Sequence, residues 1–353
     1  MILRDESGRT VSHNSSNEAA YKHVQPGDFA IHLRSFEGGF AHSPYEGITS
    51  PAYTIFVARE PMQHSDRFWK HYFMSERFVD SLRTVTYGIR DGRSINVDEF
   101  MDSILTVPEA TEQKQIGKLF DELDSLITLH QRKHDQLATL KKSLLEKMFP
   151  KPGSDAPELR FAGFTEPWEQ RKFGEAFAFL GNNTLSRAEL SDTEGACLDI
   201  HYGDVLIKYS EVLDADNGQI PHIADDNVAT SLSCQPLQDG DVIIADTAED
   251  EAVGKCSELR KVGDKTIYSG LHTMPCRPVD TFASGYLGFY LNSDAYHSQL
   301  LPLMQGIKVI SVSRSAIEDT VVAYPSLPEQ QAIGALFSHL DNLITLHQRE
   351  PPF

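Results

Sequence analysis

The sequence predicts an α+β fold with two β-rich mixed domains, joined by long helices that pack antiparallel as a coiled coil. Three observations lead to this prediction: a segment that occurs twice, a long helical periodicity in its first copy, and strand and helix patterns before each copy. At 353 residues the chain can form two domains, each with its own core.

The repeated segment comprises residues 108–132 and 325–349. The two copies are offset by 217 residues and are identical at 16 of 25 positions, including the whole of LITLHQR. A repeat at such a long period indicates two copies of one large unit. We therefore predict domains at 1–107 and 151–327, each followed by a conserved helix, at 108–150 and 328–353.

The first repeat copy begins a long helix. Apolar side chains recur every three or four residues from Thr111 to Phe149, and Pro150-Lys-Pro-Gly follows. At about 1.5 Å per residue such a helix is roughly 57 Å long. Its apolar stripe requires cover, and the second copy is the expected antiparallel partner. A core helix inside one domain is the alternative. The side chains expected at the seam between the two helices, with a partner-docking surface as the alternative, are Leu119, Phe120, Leu123, Leu126, Ile127, Leu336, Phe337, Leu340, Leu343 and Ile344.

The residues before each helix show corresponding β and α patterns. Strands are predicted at 53–58, 204–209 and 241–245, and aromatic amphipathic helices at 66–82 and 284–301. Gly27-Asp28 and Gly240-Asp241 each precede a short apolar strand, so the repeat extends upstream of the helices.

Composition limits the classes of function. The formal net charge is −19, and residues 151–327 contain 13 basic and 27 acidic side chains. Bulk electrostatics therefore disfavour strong non-specific binding to nucleic acid. The sequence shows no membrane-spanning run and no signal peptide, and the four scattered cysteines fit reduced core thiols. We expect a cytoplasmic protein without a metal site.

The repeated pattern resembles one known family. P-x-x-x-E-Q-x-x-I-G-x-x-F-x-x-L-D-x-L-I-x-L-H-Q-R, followed by LKKSLLEKMFP, is similar to the conserved regions of type I restriction–modification specificity subunits. LRFAGFTEPWEQRKFGE (159–175) and GITSPAYTIF (47–56) also resemble that family.

The resemblance implies a non-catalytic, DNA-binding subunit of a restriction system. Each target recognition domain would read half of a bipartite DNA site, and the conserved helices would set the spacing. The helices would also dock two methylation subunits, and a restriction subunit would join them. S-adenosylmethionine, ATP and magnesium would belong to those partners and not to this chain.

Candidate DNA-contacting residues are polar or basic side chains in loops that correspond between the domains. For every one, an ordinary solvated side chain is the alternative. The candidates are Arg34, Ser35, Arg90, Arg93, Lys208, Thr247, Lys255, Lys308 and Arg314. His272 is a further candidate. The polar helix ends, which are either partner contacts or a register-setting layer, are His130, Gln131, His347 and Gln348.

The sequence lacks the common motifs of an enzyme. The sequence contains no phosphate-binding Gly-rich loop, nucleophile elbow or methyltransferase motif. Asp102 with Glu112 and Lys114 has the spacing of a nuclease triad, but Glu112 in a first helical turn has a structural reason.

Relative to the family pattern, both ends of the sequence are expected to be truncated. The first domain lacks a counterpart of residues 159 to about 213, and the second helix pattern stops at Arg349. A truncated or inactive remnant, a chain completed by another polypeptide, and a coiled-coil adaptor without DNA specificity therefore remain alternatives.

Overall fold

The computed structural model describes Met1 and residues 20–32, 39–87, 94–217 and 220–348. It divides into two compact units, Met1–His130 (unit 1) and Gln131–Phe353 (unit 2). Both combine helices with small, mostly antiparallel sheets, so the predicted α+β class is confirmed.

The described residues of unit 1 form three small sheets. β2 is the centre of a three-stranded antiparallel sheet in the order β3-β2-β5, while β1 pairs with β4 and β6 with β7. The strands are β1 (Lys22–Val24), β2 (Phe29–His32), β3 (Ala41–His42), β4 (Gly47–Thr49), β5 (Tyr53–Phe56), β6 (Thr86–Tyr87) and β7 (Ser94–Ile95). The helices are α1 (Asp66–Tyr72), α2 (Glu76–Ser81), α3 (Val97–Met101) and the first part of α4 (Ala110–Lys147).

The core of unit 1 is rich in phenylalanine. Phe40, Phe73 and Phe78 are buried and contact one another at ring-centroid distances of 4.9–5.4 Å. Gly39 has a φ of +77°, and a Cβ there would lie 2.3 Å from the Phe73 carbonyl oxygen. Only glycine fits this approach of the loop to the end of α1.

Unit 2 is built around a five-stranded sheet in the order β12-β16-β14-β18-β9 and a four-stranded sheet in the order β10-β13-β11-β17. Its strands are β8 (Glu169–Lys172), β9 (Phe177–Phe179), β10 (Leu190–Ser191), β11 (Cys197–Ile200), β12 (Val212–Asp214), β13 (His222–Ile223), β14 (Val242–Ala245), β15 (Thr247–Ala248), β16 (Cys256–Arg260), β17 (Thr266–Ser269), β18 (Thr273–Pro278), β19 (Ile310–Ser311) and β20 (Val321–Tyr324). Its helices, after the end of α4, are α5 (Phe173–Ala176), α6 (Tyr202–Ile207), α7 (Asp226–Ser231), α8 (Tyr286–Leu291), α9 (Asp294–His297), α10 (Arg314–Glu318) and α11 (Leu327–Gln348).

The main sheets of the two units have the same arrangement at their centre. In unit 1, Phe29 of β2 pairs with His42 and Phe56. In unit 2, Val242 of β14 pairs with Glu258 and Cys276 in the same antiparallel arrangement.

The turn before each central strand is also the same. Asp28 Oδ2 accepts from the Gln25 N–H at 2.8 Å, and Asp241 Oδ2 accepts from the Gln238 N–H at 2.9 Å. Gly27 and Gly240 both have positive φ, +98° and +88°. The Gly-Asp correspondence seen in the sequence therefore marks a duplicated turn and strand.

Three local sequence predictions were wrong in type or extent. Residues 204–209 do not form a strand, because α6 covers most of them and the His201 side chain caps its first turn by accepting from the Gly203 N–H at 3.1 Å. A short apolar run such as VLI fits either structure. The helix predicted at 66–82 is two helices, since Ser75 caps α2 by accepting from Phe78 N–H. The helix predicted at 284–301 is likewise divided into α8 and α9.

In unit 2 the second long helix packs against the end of the first. Leu137, Met148 and Phe149 of this region share one buried cluster with Ile333, Phe337 and Leu340 of α11. Phe149 stacks on Phe337 at 5.9 Å between ring centroids, and Lys141 Nζ lies 2.7 Å from Asp341 Oδ1. Later residues of one segment therefore contact earlier residues of the other, as in an antiparallel pair. A regular coiled coil stays a prediction.

The side chains predicted for the seam or a partner surface in the first half of α4 lie at the surface of unit 1. These five side chains are between 38% and 55% exposed: Leu119, Phe120, Leu123, Leu126 and Ile127. The helix turns a different face, which includes Gln113 and Gly117, towards unit 1, and this leaves the apolar stripe at the surface. In α11, Phe337 and Leu340 are buried and Leu336, Leu343 and Ile344 are partly buried in the unit 2 core.

Candidate helix-docking and nucleic-acid interfaces

In unit 1 the long helix is attached to its domain by a buried glutamine. Gln113 is 2% exposed; its Oε1 accepts from the Ser65 N–H at 3.1 Å and its Nε2 donates to the Pro108 carbonyl at 2.8 Å. Ser65 immediately precedes α1. One side chain thus satisfies a free N–H at the start of α1 and a carbonyl before α4.

Unit 2 repeats this attachment. Gln330 is 3% exposed; its Oε1 accepts from the Ala283 N–H at 3.0 Å and its Nε2 donates to the Pro325 carbonyl at 2.8 Å. The glutamine and the proline are each offset by 217 residues from their unit 1 counterparts. The repeated sequence therefore encodes one docking geometry used twice.

A glycine permits the close approach of each helix. A Cβ on Gly117 would lie 2.6 Å from the Phe68 nitrogen, and one on Gly334 would lie 2.9 Å from the Ser284 carbonyl oxygen. Both contacts are with backbone at the start of the aromatic helix, so a side chain could be accepted only if the helix moved away.

An ion-pair network adds to the attachment in unit 1. Lys70 Nζ of α1 lies 3.0 Å from Asp121 Oδ1 and 3.2 Å from Asp124 Oδ2 of α4, and His71 Nε2 lies 3.1 Å from Asp121. Burial opposes ionisation of Asp121, but the hydrogen bonds from Lys70 and His71 lower its pKa overall. His71, Asp121 and Asp124 have the spacing of metal ligands. Because the positive charge of Lys70 already balances both carboxylates, we assign the cluster to the attachment of α4 to α1.

A buried ion pair reinforces the attachment in unit 2. Arg160 Nε and Nη2 donate to the two carboxylate oxygens of Glu329 at 2.7 and 2.8 Å, and Glu329 is 1% exposed. Glu112, at the matching position of the first copy, is exposed. The identity of these two glutamates in sequence therefore does not extend to their environment.

Four of the predicted DNA-contacting residues lie outside the described residues. These are Arg34, Ser35, Arg90 and Arg93 of the first domain. They stay predictions from the sequence.

In unit 2 three loops meet at one end of the sheets, and we call residues 246–248, 270–273 and 305–314 the loop face. The Asp246 N–H donates to the His272 carbonyl at 3.1 Å, and the Val312 N–H donates to the Asp246 carbonyl at 3.0 Å. The Thr247 hydroxyl donates to Asp246 Oδ1 at 2.7 Å and lies 3.5 Å from His272 Nδ1. The loop face thus presents a hydroxyl and an imidazole side by side.

His272 is exposed and has a left-handed backbone, with φ of +54°. This conformation is uncommon for a residue other than glycine, and such residues cluster at functional sites. The sequence indicated His272 only as a further candidate, because backbone strain leaves no mark in the sequence.

Two predicted basic residues lie on the loop face. Lys308 is exposed in the turn before β19, and β19 pairs with β15 so that Ser311 is opposite Thr247. Arg314 is exposed, donates through Nη2 to the Leu180 carbonyl at 3.2 Å, and lies 4.9 Å from the Phe179 ring centroid. The structure therefore brings Thr247, Lys308 and Arg314 to adjoining loops.

The other two predicted basic residues are placed elsewhere. Lys255 is half-buried and donates to the Leu206 carbonyl at 2.8 Å, and burial lowers its pKa. Lys208 follows α6 and lies 5.8 Å from the Tyr209 ring centroid.

Sequence reasoning missed a pair of asparagines beside the loop face. Asn182 Nδ2 donates to the Gly270 carbonyl at 3.1 Å, and Asn183 donates to Asp199, a carboxylate with no exposure. Asparagine is suited to reading adenine, and of the two only Asn182 is partly exposed, because Asn183 is buried. The polar loop Gly181-Asn-Asn-Thr after β9 was the available signal.

The polar ends of the repeats are at or near the surface. His130, Gln131 and Gln348 are exposed and His347 is half-buried. Both the partner-contact and the register interpretations stay open for them.

These features define a class of protein: a duplicated scaffold in which two mixed α and β domains are each attached to a copy of one helix. No protein-family model matches the sequence. The MjaVIII specificity subunit of a type I restriction enzyme from Methanocaldococcus jannaschii is 21% identical over 259 residues, which is 70% of this chain and 57% of the relative. The chain thus matches little more than half of that relative's length.

Solved structures agree on the fold. The HsdS subunit from Thermoanaerobacter tengcongensis matches with a TM-score of 0.50 and 17% identity, over 93% of this chain and 76% of that one. A chain from a study of assembly and conformational transition of the type I R-M system matches with a TM-score of 0.50 and 15% identity, over 92% and 76%. The chain is related to type I restriction–modification specificity subunits, as the sequence motifs indicated.

The described helices include none with the length and apolarity that a membrane span requires.

Proposed function

We propose that the chain is the non-catalytic DNA-specificity subunit of a type I restriction–modification complex. In this proposal its two domains read the halves of a bipartite site, and its helices dock methylation subunits, which a restriction subunit joins. The duplicated glutamine attachment of domain to helix carries the proposal, because it gives two domains a fixed relation to copies of the same helix. A bipartite reader needs this property.

The loop face of unit 2 supports a role in reading bases. Hydroxyl, imidazole and basic side chains on adjoining loops are groups that contact base edges and phosphates. The acidic balance of the chain argues against strong binding alone. In this proposal the partner subunits supply much of the phosphate neutralisation, and they also carry S-adenosylmethionine, ATP and magnesium.

Selection from a random duplex pool tests this proposal. The chain is purified with a methylation subunit from the same source, and bound DNA is recovered at 150 mM salt. We expect two short sequence elements separated by a constant spacer, bound at least about 1,000-fold more tightly than random duplex. Enrichment of no sequence would overturn the proposal.

Variants of the loop face locate the reading surface. Lys308→Ala should weaken binding to all sequences, whereas Thr247→Ala should change the preferred base in one half-site. Lys265→Ala is the matched control. Lys265 forms an ion pair with Asp216 and precedes β17, whereas His272 of the loop face follows the other end of that strand. An equal effect of Lys265→Ala and Lys308→Ala would argue against the loop face.

A further inference from the structure

Unit 2 contains a segment for which the described part of unit 1 has no counterpart. Within residues 168–180, β8 pairs with β20, α5 forms one turn, and β9 pairs with the outer edge of β18. Phe173 and Phe177 are 0% and 2% exposed and stack at 4.3 Å between ring centroids. The segment thus supplies two edge strands and two core side chains.

Backbone hydrogen bonds hold this segment in place at α5 and after β9. The Phe173 N–H donates to the Thr320 carbonyl at 2.8 Å, and the Leu180 N–H donates to the Pro275 carbonyl at 2.9 Å. The Val279 N–H donates to the Ala176 carbonyl at 2.9 Å. The segment therefore lies between the end of α10 and the edge of β18.

Unit 1 contains the elements that correspond to those on either side of this segment in unit 2. By strand pairing, β5 corresponds to β18, and among the described residues β5 pairs only with β2. By the offset of 217 residues, α3 corresponds to α10 and residues 104–107 to β20. Residues 104–107 are described but are not part of a sheet.

An apolar groove lies between these elements. It has a volume of about 190 Å³ and is open to solvent, and its lining includes Phe29, Phe56, Trp69, Phe73, Phe100 and Leu105. At its rim Val57 and Met101 are each 59% exposed, and the neighbouring Ile104 is 96% exposed. An apolar groove beside an unpaired strand edge is suited to binding an added strand.

The N-terminal residues outside the description have the wrong chemistry for this groove. Residues 2–19 contain no aromatic side chain, and their large aliphatic side chains are limited to Ile2, Leu3 and Val11. They have no phenylalanine pair like Phe173 and Phe177. The groove is therefore better matched by a segment of the unit 2 type.

We propose that the unit 1 groove binds a strand–turn–strand segment that resembles Glu169–Phe179 and lies outside the described residues. Its strands add to β5 and to residues 104–107, and two phenylalanines four residues apart fill the groove. The assignment rests on the internal repeat and does not depend on DNA recognition.

A peptide of residues 167–181 tests the proposal with the full chain. Fluorescein-labelled PWEQRKFGEAFAFLG is titrated with the chain, and anisotropy is recorded. We expect saturable binding, at least about tenfold weaker for Phe177→Ala and Phe173→Ala peptides and lost for a scrambled peptide. Hydrogen exchange should show added protection at residues 53–57 and 103–107.

A variant pair in the chain locates the site. Leu105→Asp, in the groove, should abolish peptide binding, while Leu119→Asp, on the exposed helix stripe, should leave it unchanged. Circular dichroism checks that both variants are folded. If Leu105→Asp is unfolded, the phenylalanine peptides and the exchange pattern still decide. Lack of saturation, or protection confined to residues 273–278 of unit 2, would overturn the proposal.

Discussion

Asp199 is a buried carboxylate whose hydrogen bonding is incomplete among the described residues. It has no exposure, its Oδ1 has no hydrogen-bond partner among the described residues, and only Asn183 donates to its Oδ2. Burial raises its pKa from 3.8 to about 6, against the opposing hydrogen bond from Asn183. The folded state therefore binds a proton more tightly than the unfolded state.

This shift predicts a pH-dependent loss of stability. Below about pH 4 both states are protonated at Asp199, and as pH rises through about 6 the folded state loses up to about 3 kcal/mol of unfolding free energy. Asp199→Asn should remove this loss. Urea unfolding at pH 5 and 7.5 should show a smaller pH difference in the variant; an unchanged difference would contradict it.

The Arg160–Glu329 pair gives a second residue-scale prediction. Arg160→Met leaves the carboxylate of Glu329, which is 1% exposed, without its bidentate partner. Breaking a buried pair in this way costs about 3–5 kcal/mol. Urea unfolding should show the loss, and adding Glu329→Gln should recover part of it. No recovery would mean that Arg160 acts through packing alone.

At the element scale, the two glutamines make a matched comparison. Gln113→Leu leaves the Ser65 N–H and the Pro108 carbonyl without a hydrogen-bond partner. Gln330→Leu does the same to the equivalent groups in unit 2. Each change should cost about 1–3 kcal/mol. Hydrogen exchange should quicken in α1 for the first variant and in α8 for the second. Quickening in the wrong unit would contradict a local attachment.

The elements also show what the sequence could predict. The long helical periodicity and the repeat were sufficient to predict α4 and α11 as helices and as copies of one segment, because these signals extend over many residues. The strand predicted at 204–209 was wrong. A three-residue apolar run is too short to show a helical or a strand period, and the cap by His201 favours a helix here. The docking roles of Gln113 and Gln330 could not be deduced, because their partners are backbone groups far along the chain.

At the scale of the whole molecule, the class of fold and the duplication were predictable, but the use of the helix faces was not. Amphipathic spacing indicates that one face is apolar, and it does not identify the surface that covers it. In the first half of α4 the domain is attached through Gln113, Gly117 and Asp121, and the apolar stripe lies beside that face. The role of this stripe, as a seam or as a partner surface, therefore stays a prediction.

The exposed stripe gives the last prediction, which rests on the proposed function. Leu123 and Leu126 are 38% and 53% exposed, and an apolar stripe of this kind is typical of a protein interface. Leu123→Glu with Leu126→Glu should reduce co-purification of a methylation subunit at least tenfold, because charges would be buried without partners. Ser125→Glu, on another face of the same helix, is the control and should have no effect. Because all three positions are on the helix surface, circular dichroism should be unchanged in each variant. Full retention of the methylation subunit by the double variant would place its docking site elsewhere on the chain.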